Sequence, residues 1–268
     1  MGETATDNTT KEGLEDTQAQ ADQRGVHIDK VGVRGMRFPI QIIRGDNTNL
    51  GTVATIGLFV DLPKEVRGTH MSRFVEIMKD QTNDFSAETV ATILKQLQEK
   101  LQAHTAHLEI DFPYFITKKA PISGIESPMD YKVRFRASAI GDEIDIITSV
   151  VAQVTTLCPC SKAISAHGAH NQRGEVTLQT KSSSAVTLEE LIRVMEKSAS
   201  AELYALLKRP DEKAVTEQAY ENPVFVEDLV RNVAVRLREI PQITWYQVEA
   251  ENYESIHSHN AYACVKSG

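Results

Sequence analysis

The sequence is poor in cysteine, in long apolar runs and in positive charge. Three cysteines in 268 residues are too few for a disulfide framework and suit a reducing compartment. No apolar run approaches the ~20 residues that a membrane-spanning helix needs, and the N-terminus lacks the basic-then-apolar pattern of a secretion signal. These absences predict a cytoplasmic protein.

The charge balance is acidic. The chain has 29 Lys and Arg against 37 Asp and Glu, which gives a formal net charge of −8. Binding to nucleic-acid phosphates needs clustered positive side chains, so no nucleic-acid partner is expected. Residues 1–30 hold seven acids against three bases and few large apolar side chains. That composition predicts a disordered acidic tail without a catalytic role.

Hydrophobic periodicity divides the rest of the chain into two halves of similar order, each with two strands, two helices and two strands. The predicted strands of both halves are residues 31–44, 52–62, 107–117, 131–139, 144–156, 175–180, 243–249 and 261–266. The predicted helices are residues 69–79, 86–102, 187–207 and 222–238. Thr187 and Glu190 match the capping box that begins a helix, and Asn222 with Pro223 matches another helix start.

A four-stranded antiparallel sheet with two helices on one face is a self-consistent pair of layers. The pattern therefore predicts an α+β fold of two such units, residues 31–141 and residues 142–268, divided by a turn at Gly141-Asp142, with the candidate site in the second. Edge strands left unpaired would favour oligomerisation.

The densest group of reactive side chains lies between residues 154 and 174. Cys158 and Cys160 flank Pro159, and His167 and His170 follow closely. Thiolate and neutral imidazole are preferred ligands of zinc and similar divalent metals, so the cluster predicts a bound metal. Cysteines packed as small apolar residues, or a closed structural zinc site, are the alternatives. The polar segment 171–173 favours an open, catalytic site, and we expect His167 to be structural.

Several motifs resemble the signature of the type IB GTP cyclohydrolases, which make 7,8-dihydroneopterin triphosphate for folate synthesis. They are Thr-Leu-Cys-Pro-Cys-Ser-Lys at 156–162, Gly-Ala-His-Asn-Gln-Arg at 168–173, Lys-Arg-Pro-Asp-Glu-Lys at 208–213, Glu-Asn-Pro-Val-Phe-Val-Glu-Asp-Leu-Val-Arg at 221–231 and Glu-Ser-Ile-His-Ser-His at 254–259. The resemblance covers most of residues 30–267. It implies the tunnelling fold (T-fold), in which such sheets assemble into barrels, and a homo-oligomer, a tetramer, with active sites at subunit contacts.

The resemblance also implies a ligand set for the metal. Cys158 as thiolate and His170 as imidazole come from the motif, Glu212 is the third ligand, and His257 is the fourth or exchanges with water. Such a mixed set of sulfur, nitrogen and oxygen leaves Zn²⁺, Mn²⁺ and Fe²⁺ as candidates. Without the resemblance, Glu212 would be interpreted as a solvated loop carboxylate. Cys160 is either a second thiolate ligand or an acid-base group.

For the substrate, the resemblance implies that Glu227 anchors guanine by accepting hydrogen bonds from the ring N–H and the exocyclic amine. A surface carboxylate favoured by a helix dipole is the plain alternative. The triphosphate needs cations, and the candidates are Lys118, Lys119, Lys162 and Arg173.

The implied reaction is a metal-assisted hydrolysis of GTP. Water attacks C8 of the imidazole ring, the ring opens, formate leaves, and the ribose carbons reclose on the pyrimidine to give the pterin. The candidate catalytic residues are the metal-binding Cys158 and His170 together with three groups that can move protons: Cys160, His257 and His259.

Two other functions were compatible with parts of this pattern. A nitrile reductase of the queuosine pathway, which uses a cysteine as covalent nucleophile, would carry a Glu-Ser-Lys-Ser nicotinamide motif that the sequence lacks. A zinc-stabilised binding module without enzymatic activity would lose its fold on chelation.

Overall fold

The computed structural model describes residues 17–18, 20–79 and 85–268. Most of the predicted acidic tail, residues 1–16 and 19, lies outside these ranges. The strands are β1 (Ile28–Ile43), β2 (Asn49–Leu62), β3 (Thr105–Lys119), β4 (Glu126–Ile140), β5 (Glu143–Leu157), β6 (Asn171–Ser182), β7 (Ala201–Glu202), β8 (Ile243–Asn252) and β9 (Ala261–Lys266). The helices are α1 (Met71–Lys79), α2 (Ala87–Leu101), α3 (Pro159–Ile164), α4 (Leu188–Glu196), α5 (Arg209–Glu221) and α6 (Val226–Leu237).

All nine strands belong to one antiparallel sheet, in the order β1-β2-β3-β4-β5-β6-β8-β9, with the short β7 paired to β5. The prediction of two tunnelling-fold units with separate four-stranded sheets is therefore wrong. Strand β4 pairs with β5 from Ile140 opposite Glu143 to Lys132 opposite Val151. Gly141, with a φ of 55°, makes the tight turn between them, because a left-handed backbone costs glycine little. The turn predicted at this position thus joins the two halves into one sheet.

The core lies between one face of the sheet and the helices. Alternate residues of the strands point to that face, such as Ile56 and Leu58 of β2 and Val176 and Leu178 of β6, and all four are fully buried. Helices contribute at a spacing of three and four residues, as predicted for α2. Its fully buried residues are Ile93, Leu94 and Leu97. Each such aliphatic side chain stabilises the fold by about 1.5–3 kcal/mol relative to exposure.

The helices between β6 and β8 differ from the prediction. Helix α4 ends at Glu196, not at residue 207, because the chain then turns into β7 and pairs with β5. Helix α6 begins at Val226. Asn222, predicted to cap it, instead donates its side-chain amide to the Ala199 carbonyl at 2.9 Å.

Helix α5 is a helix that the sequence pattern did not indicate. Its first turn contains Asp211, which is fully buried and accepts hydrogen bonds from the amides of Ile122, Ser123 and Lys208 at 2.8 Å, and from the Ser123 hydroxyl at 2.7 Å. Burial alone would raise the pKa of Asp211, but these donors hold it well below its ordinary value. The ionised carboxylate therefore fixes the start of α5 to the loop between β3 and β4.

Candidate active site

The cysteine motif forms a closed turn at the end of β5. Cys158 is the N-cap of α3, and its Sγ accepts a hydrogen bond from the Ser161 amide at 3.4 Å. The Cys158 amide donates to the His170 carbonyl at 3.1 Å, and the His170 amide donates to the Ser161 hydroxyl at 3.1 Å. Because the backbones of Cys158 and His170 are bonded to each other, thiol and imidazole are carried on one rigid frame. Cys160 is exposed on α3.

His170 has one ring nitrogen engaged by the protein. Its Nδ1 lies 3.0 Å from Oε1 of Gln172, and Nε2 of Gln172 donates to the buried Thr156 hydroxyl at 2.9 Å. An amide oxygen only accepts, so in the neutral imidazole this contact favours the tautomer with the hydrogen on Nδ1 and the lone pair on Nε2. Metal-binding histidines are held in the same way by an outer partner. Neither Gln172 nor Thr156 was assigned a role from the sequence. Both are polar residues at strand positions that point to the core, and that pattern can indicate a functional site.

A cavity of about 260 Å³ opens beside this frame, between β5, the start of α6 and the loop from β8 to β9. Its polar lining residues are Cys158, His170, Gln172, Glu227, Asn252, Glu254, His257 and His259. The His257 ring lies edge-on to the His170 ring, with centroids 6.4 Å apart, and the His257 and His259 rings stack at 5.3 Å. Both histidines are exposed and belong to the loop between β8 and β9. Their rings nevertheless lie together.

Two carboxylates that line the cavity differ in their surroundings. Glu254 was not singled out from the sequence, and its Oε2 lies 3.9 Å from Nδ1 of His170. Glu227 lies in the first turn of α6, where the helix dipole favours a negative charge. The neighbouring Asp228 accepts a hydrogen bond from the Phe225 amide at 3.4 Å. Within the described chain no group pairs with the Glu227 carboxylate, which leaves both of its oxygens open to a ligand.

The structure does not bring Glu212 to this cavity. Glu212 is exposed in the first turn of α5. Throughout the described ranges, no three His, Cys, Asp or Glu side chains converge closely enough to hold a metal ion. Cys158 and His170 nevertheless fit a metal of borderline softness, since they place a thiol and an imidazole lone pair at the same cavity. Cys264 is exposed on β9, and His167 is exposed as well.

Of the four cations considered for the triphosphate, Lys118 is engaged inside the protein. Its Nζ lies 2.8 Å from Glu196 and 2.9 Å from Glu202, and 4.5 Å from the centre of the Tyr204 ring. Burial would raise the pKa of Glu202, but hydrogen bonds from Lys197 and Lys118 lower it. Removing one partner of such a buried group would leave the others unpaired. We therefore attribute a structural role to Lys118.

Of the other three cations, Lys119 and Arg173 are exposed and Lys162 is half-buried. Lys119 pairs with Glu126 at 3.1 Å. Lys162, on α3, donates to the Tyr220 carbonyl and lies 4.4 Å from the centre of the Tyr220 ring. Arg173, on β6, alternates with Gln172 and so faces away from the side of the sheet that carries His170.

We expect Gln172→Leu to weaken metal binding by roughly 10- to 100-fold, because the outer partner of a metal-binding histidine sets its tautomer and ring orientation. Isothermal titration of the metal-free protein measures the affinity. Gln172→Glu, which keeps an acceptor for Nδ1, is the matched control and should retain most of it. Equal affinities of the leucine variant and the unmodified protein would show that His170 binds no metal.

Comparisons with known proteins all match one family in sequence. The family described as "Type I GTP cyclohydrolase folE2" matches residues 14–263. A protein named "GTP cyclohydrolase FolE2" from Akkermansia muciniphila is 53% identical over 256 residues, which is 94% of this chain and 97% of that one. The protein of the same name from Fervidobacterium nodosum is 48% identical over 254 residues, 95% of this chain and 97% of that one.

Among solved structures, the similarity is to urate oxidases. A highly active mutant of the urate oxidase of Bacillus sp. TB-90 superposes with a TM-score of 0.54 at 9% identity, over 90% of this chain and 99% of that one. A hyperthermostable mutant of the same enzyme gives a TM-score of 0.53, over 90% and 98%. At this identity the match shows only a shared fold, and it spans the whole sheet instead of separate halves. None of the helices in the described chain is long and apolar enough to cross a membrane.

Proposed function

Because the chain belongs to the type I GTP cyclohydrolase FolE2 family and is a GTP cyclohydrolase of folate biosynthesis, we propose that its catalytic centre is the cavity described above. The observation that supports this most is that three separate segments, carrying Cys158, His170 and Glu227, line one cavity. The proposed reaction is that of the type IB enzymes, the conversion of GTP to 7,8-dihydroneopterin triphosphate and formate.

The proposed cofactor is a divalent metal, with Zn²⁺, Mn²⁺ and Fe²⁺ as candidates. Cys158 and His170 would hold it from the rigid turn after β5, with His257 and Glu212 as further donors. When bound, such an ion supplies Lewis acidity for a hydrolysis. Assays of bound metal in Glu212→Ala and Glu254→Ala then decide which carboxylate completes the set, since of these two only Glu254 lines the cavity.

The remaining groups bind the base and move protons. Glu227, with no partner in the described chain, would accept hydrogen bonds from the ring N–H and the amine of guanine. Opening the ring at C8 needs a base for the attacking water and an acid for the ring nitrogen that is released. The stacked imidazoles of His257 and His259 can serve in both roles because an imidazole can accept and donate a proton, and Cys160 lies exposed on α3, two residues after Cys158.

For the triphosphate we propose Lys162 before Lys119, Arg173 and Lys118. Lys162 is on α3, two residues after Cys160, whereas Arg173 faces away from the side of the sheet that carries His170. Lys118 would have to leave two buried carboxylates to bind a phosphate.

We also propose a homo-oligomer, a tetramer, as the active form. The long strand β1 and the strand β9 pair on one side only in the sheet order, and such edges are commonly covered by another chain. A mass in solution equal to one chain, measured by light scattering, would contradict this.

The dependence of activity on the metal is tested by removing the metal and then adding it back. After chelation we expect formate release from GTP to stop, and to be restored by more than one divalent ion, Mn²⁺ among them, since a mixed donor set discriminates weakly. Cys264→Ala, which removes an exposed thiol on β9, is the control and should behave as the unmodified protein. Restoration by Zn²⁺ alone would instead indicate that Cys160 is a second thiolate ligand.

A further inference from the structure

Asn252, the last residue of β8, is a cavity-lining residue whose side-chain oxygen has no donor in the described protein. The residue is 3% exposed, and its Oδ1 is buried without a hydrogen-bond partner in the described chain. A buried acceptor without a donor costs roughly 1–3 kcal/mol, and native proteins keep few of them. Such an oxygen, in the wall of a substrate cavity, indicates a donor that arrives with the ligand.

The backbone holds this amide in one place. Asn252 pairs with Gly174 of β6 on one side and with Ala261 of β9 on the other. Gly174 makes room for the amide, because a Cβ at that position would lie 2.6 Å from Oδ1 of Asn252. The acceptor thus belongs to a residue that is fixed between two strands, and it does not depend on the exposed loop that follows β8.

We propose that Oδ1 of Asn252 accepts a hydrogen bond from the exocyclic amine of guanine, which makes Asn252 a specificity-determining residue. This inference rests on the proposed assignment of the cavity as the GTP site. Guanine presents three N–H donors along one edge, one on N1 and two on the 2-amino group. A carboxylate that accepts the N1 hydrogen and one amine hydrogen leaves the second amine hydrogen free. Glu227 and Asn252 line the same cavity, and together they supply three acceptors for three donors.

The proposal predicts how the enzyme discriminates between GTP and inosine triphosphate, which has the same ring system and lacks only the 2-amino group. Asn252→Leu keeps the side-chain shape and removes the acceptor. We expect its kcat/KM for GTP to fall by roughly tenfold, while kcat/KM for inosine triphosphate changes by less than about twofold. Formate release reports both reactions in the same way. Asn252→Asp, which keeps an acceptor oxygen, should retain the preference for GTP better than the leucine variant.

Two further measurements separate the alternatives. If Asn252→Leu does not fold, Asn252→Ala removes the same acceptor without adding bulk. An equal loss for both nucleotides, or no loss, overturns the proposal, because the oxygen then serves only the packing or is satisfied by water. Bound metal should be unchanged in either variant. If the cavity were not the GTP site, Glu227→Gln would also leave both reactions unchanged, so the two failures are distinguishable.

Discussion

Replacing Cys158 by alanine should abolish formate release from GTP and remove the bound metal, while the protein stays folded. Among the described residues that line the cavity, Cys158 is the one cysteine, and a metal site that loses a thiolate ligand loses most of its affinity. The fold should survive because the core between sheet and helices does not involve this side chain. The substitution removes only the Sγ acceptor for the Ser161 amide, a helix cap with a cost of about 0.5–2 kcal/mol.

The measurements are formate release, metal content by mass spectrometry and the thermal unfolding midpoint. Cys158→Ser is the matched variant, since its hydroxyl can still cap α3 but is a poor metal ligand; it should resemble the alanine variant in metal content and the unmodified protein in stability. An alanine variant that no longer folds would favour a structural zinc site. A variant that retains its metal would exclude Cys158 from the ligands.

We expect Glu227→Gln to weaken GTP binding by a few kcal/mol, on the order of a hundredfold or more in affinity, with the metal content unchanged. The amide keeps the size of the side chain, but it replaces one acceptor oxygen with a donor that faces a donor of guanine. It also removes the charge that strengthens the remaining hydrogen bond. Because the carboxylate has no partner in the described protein, little of the loss should come from the folded state itself.

The control for this prediction lies next to it in the chain. Asp228→Asn changes another acid in the first turn of α6, where Asp228 bonds the Phe225 amide, and it should affect stability slightly and GTP affinity little. If Glu227→Gln leaves GTP affinity intact, Glu227 only complements the helix dipole. If it loses metal, Glu227 is a ligand of the ion.

Local order could be predicted from the sequence where side-chain spacing and short motifs determine it. The buried face of α2 is an example, and Thr187 accepts a hydrogen bond from the Glu190 amide at 3.2 Å, as the capping pattern predicts. The turn at Gly141 was also predicted. Whether such a turn ends one sheet or continues it depends on whether β4 pairs with β5. The alternation of buried and exposed residues along each strand is the same in both cases, so it does not distinguish them.

The same limit applies to the site. Motif residues such as Cys158, His170 and Glu227 could be named from the sequence, and the cavity brings them together. Gln172 and Asn252 could not, because their roles depend on strand pairing: Gln172 meets Thr156 through the pairing of β5 with β6, and Asn252 lies opposite Gly174 through the pairing of β6 with β8. Helix α5 was missed because its charged first turn is stabilised by the distant loop at Ile122 and Ser123.

The strand order also has a consequence for how the protein is made. The first six strands pair in the order of the chain, so each can join its predecessor as a growing hairpin while synthesis proceeds. Apart from the two-residue β7, which pairs with β5, the first ladder that skips ahead joins β6 to β8, and it must wait for about sixty residues that carry α4, α5 and α6. Asn252, His257 and His259 belong to this last portion. The cavity therefore closes only when nearly the whole polypeptide has left the ribosome, and a truncated product that lacks β8 would hold the cysteine motif without a place for GTP.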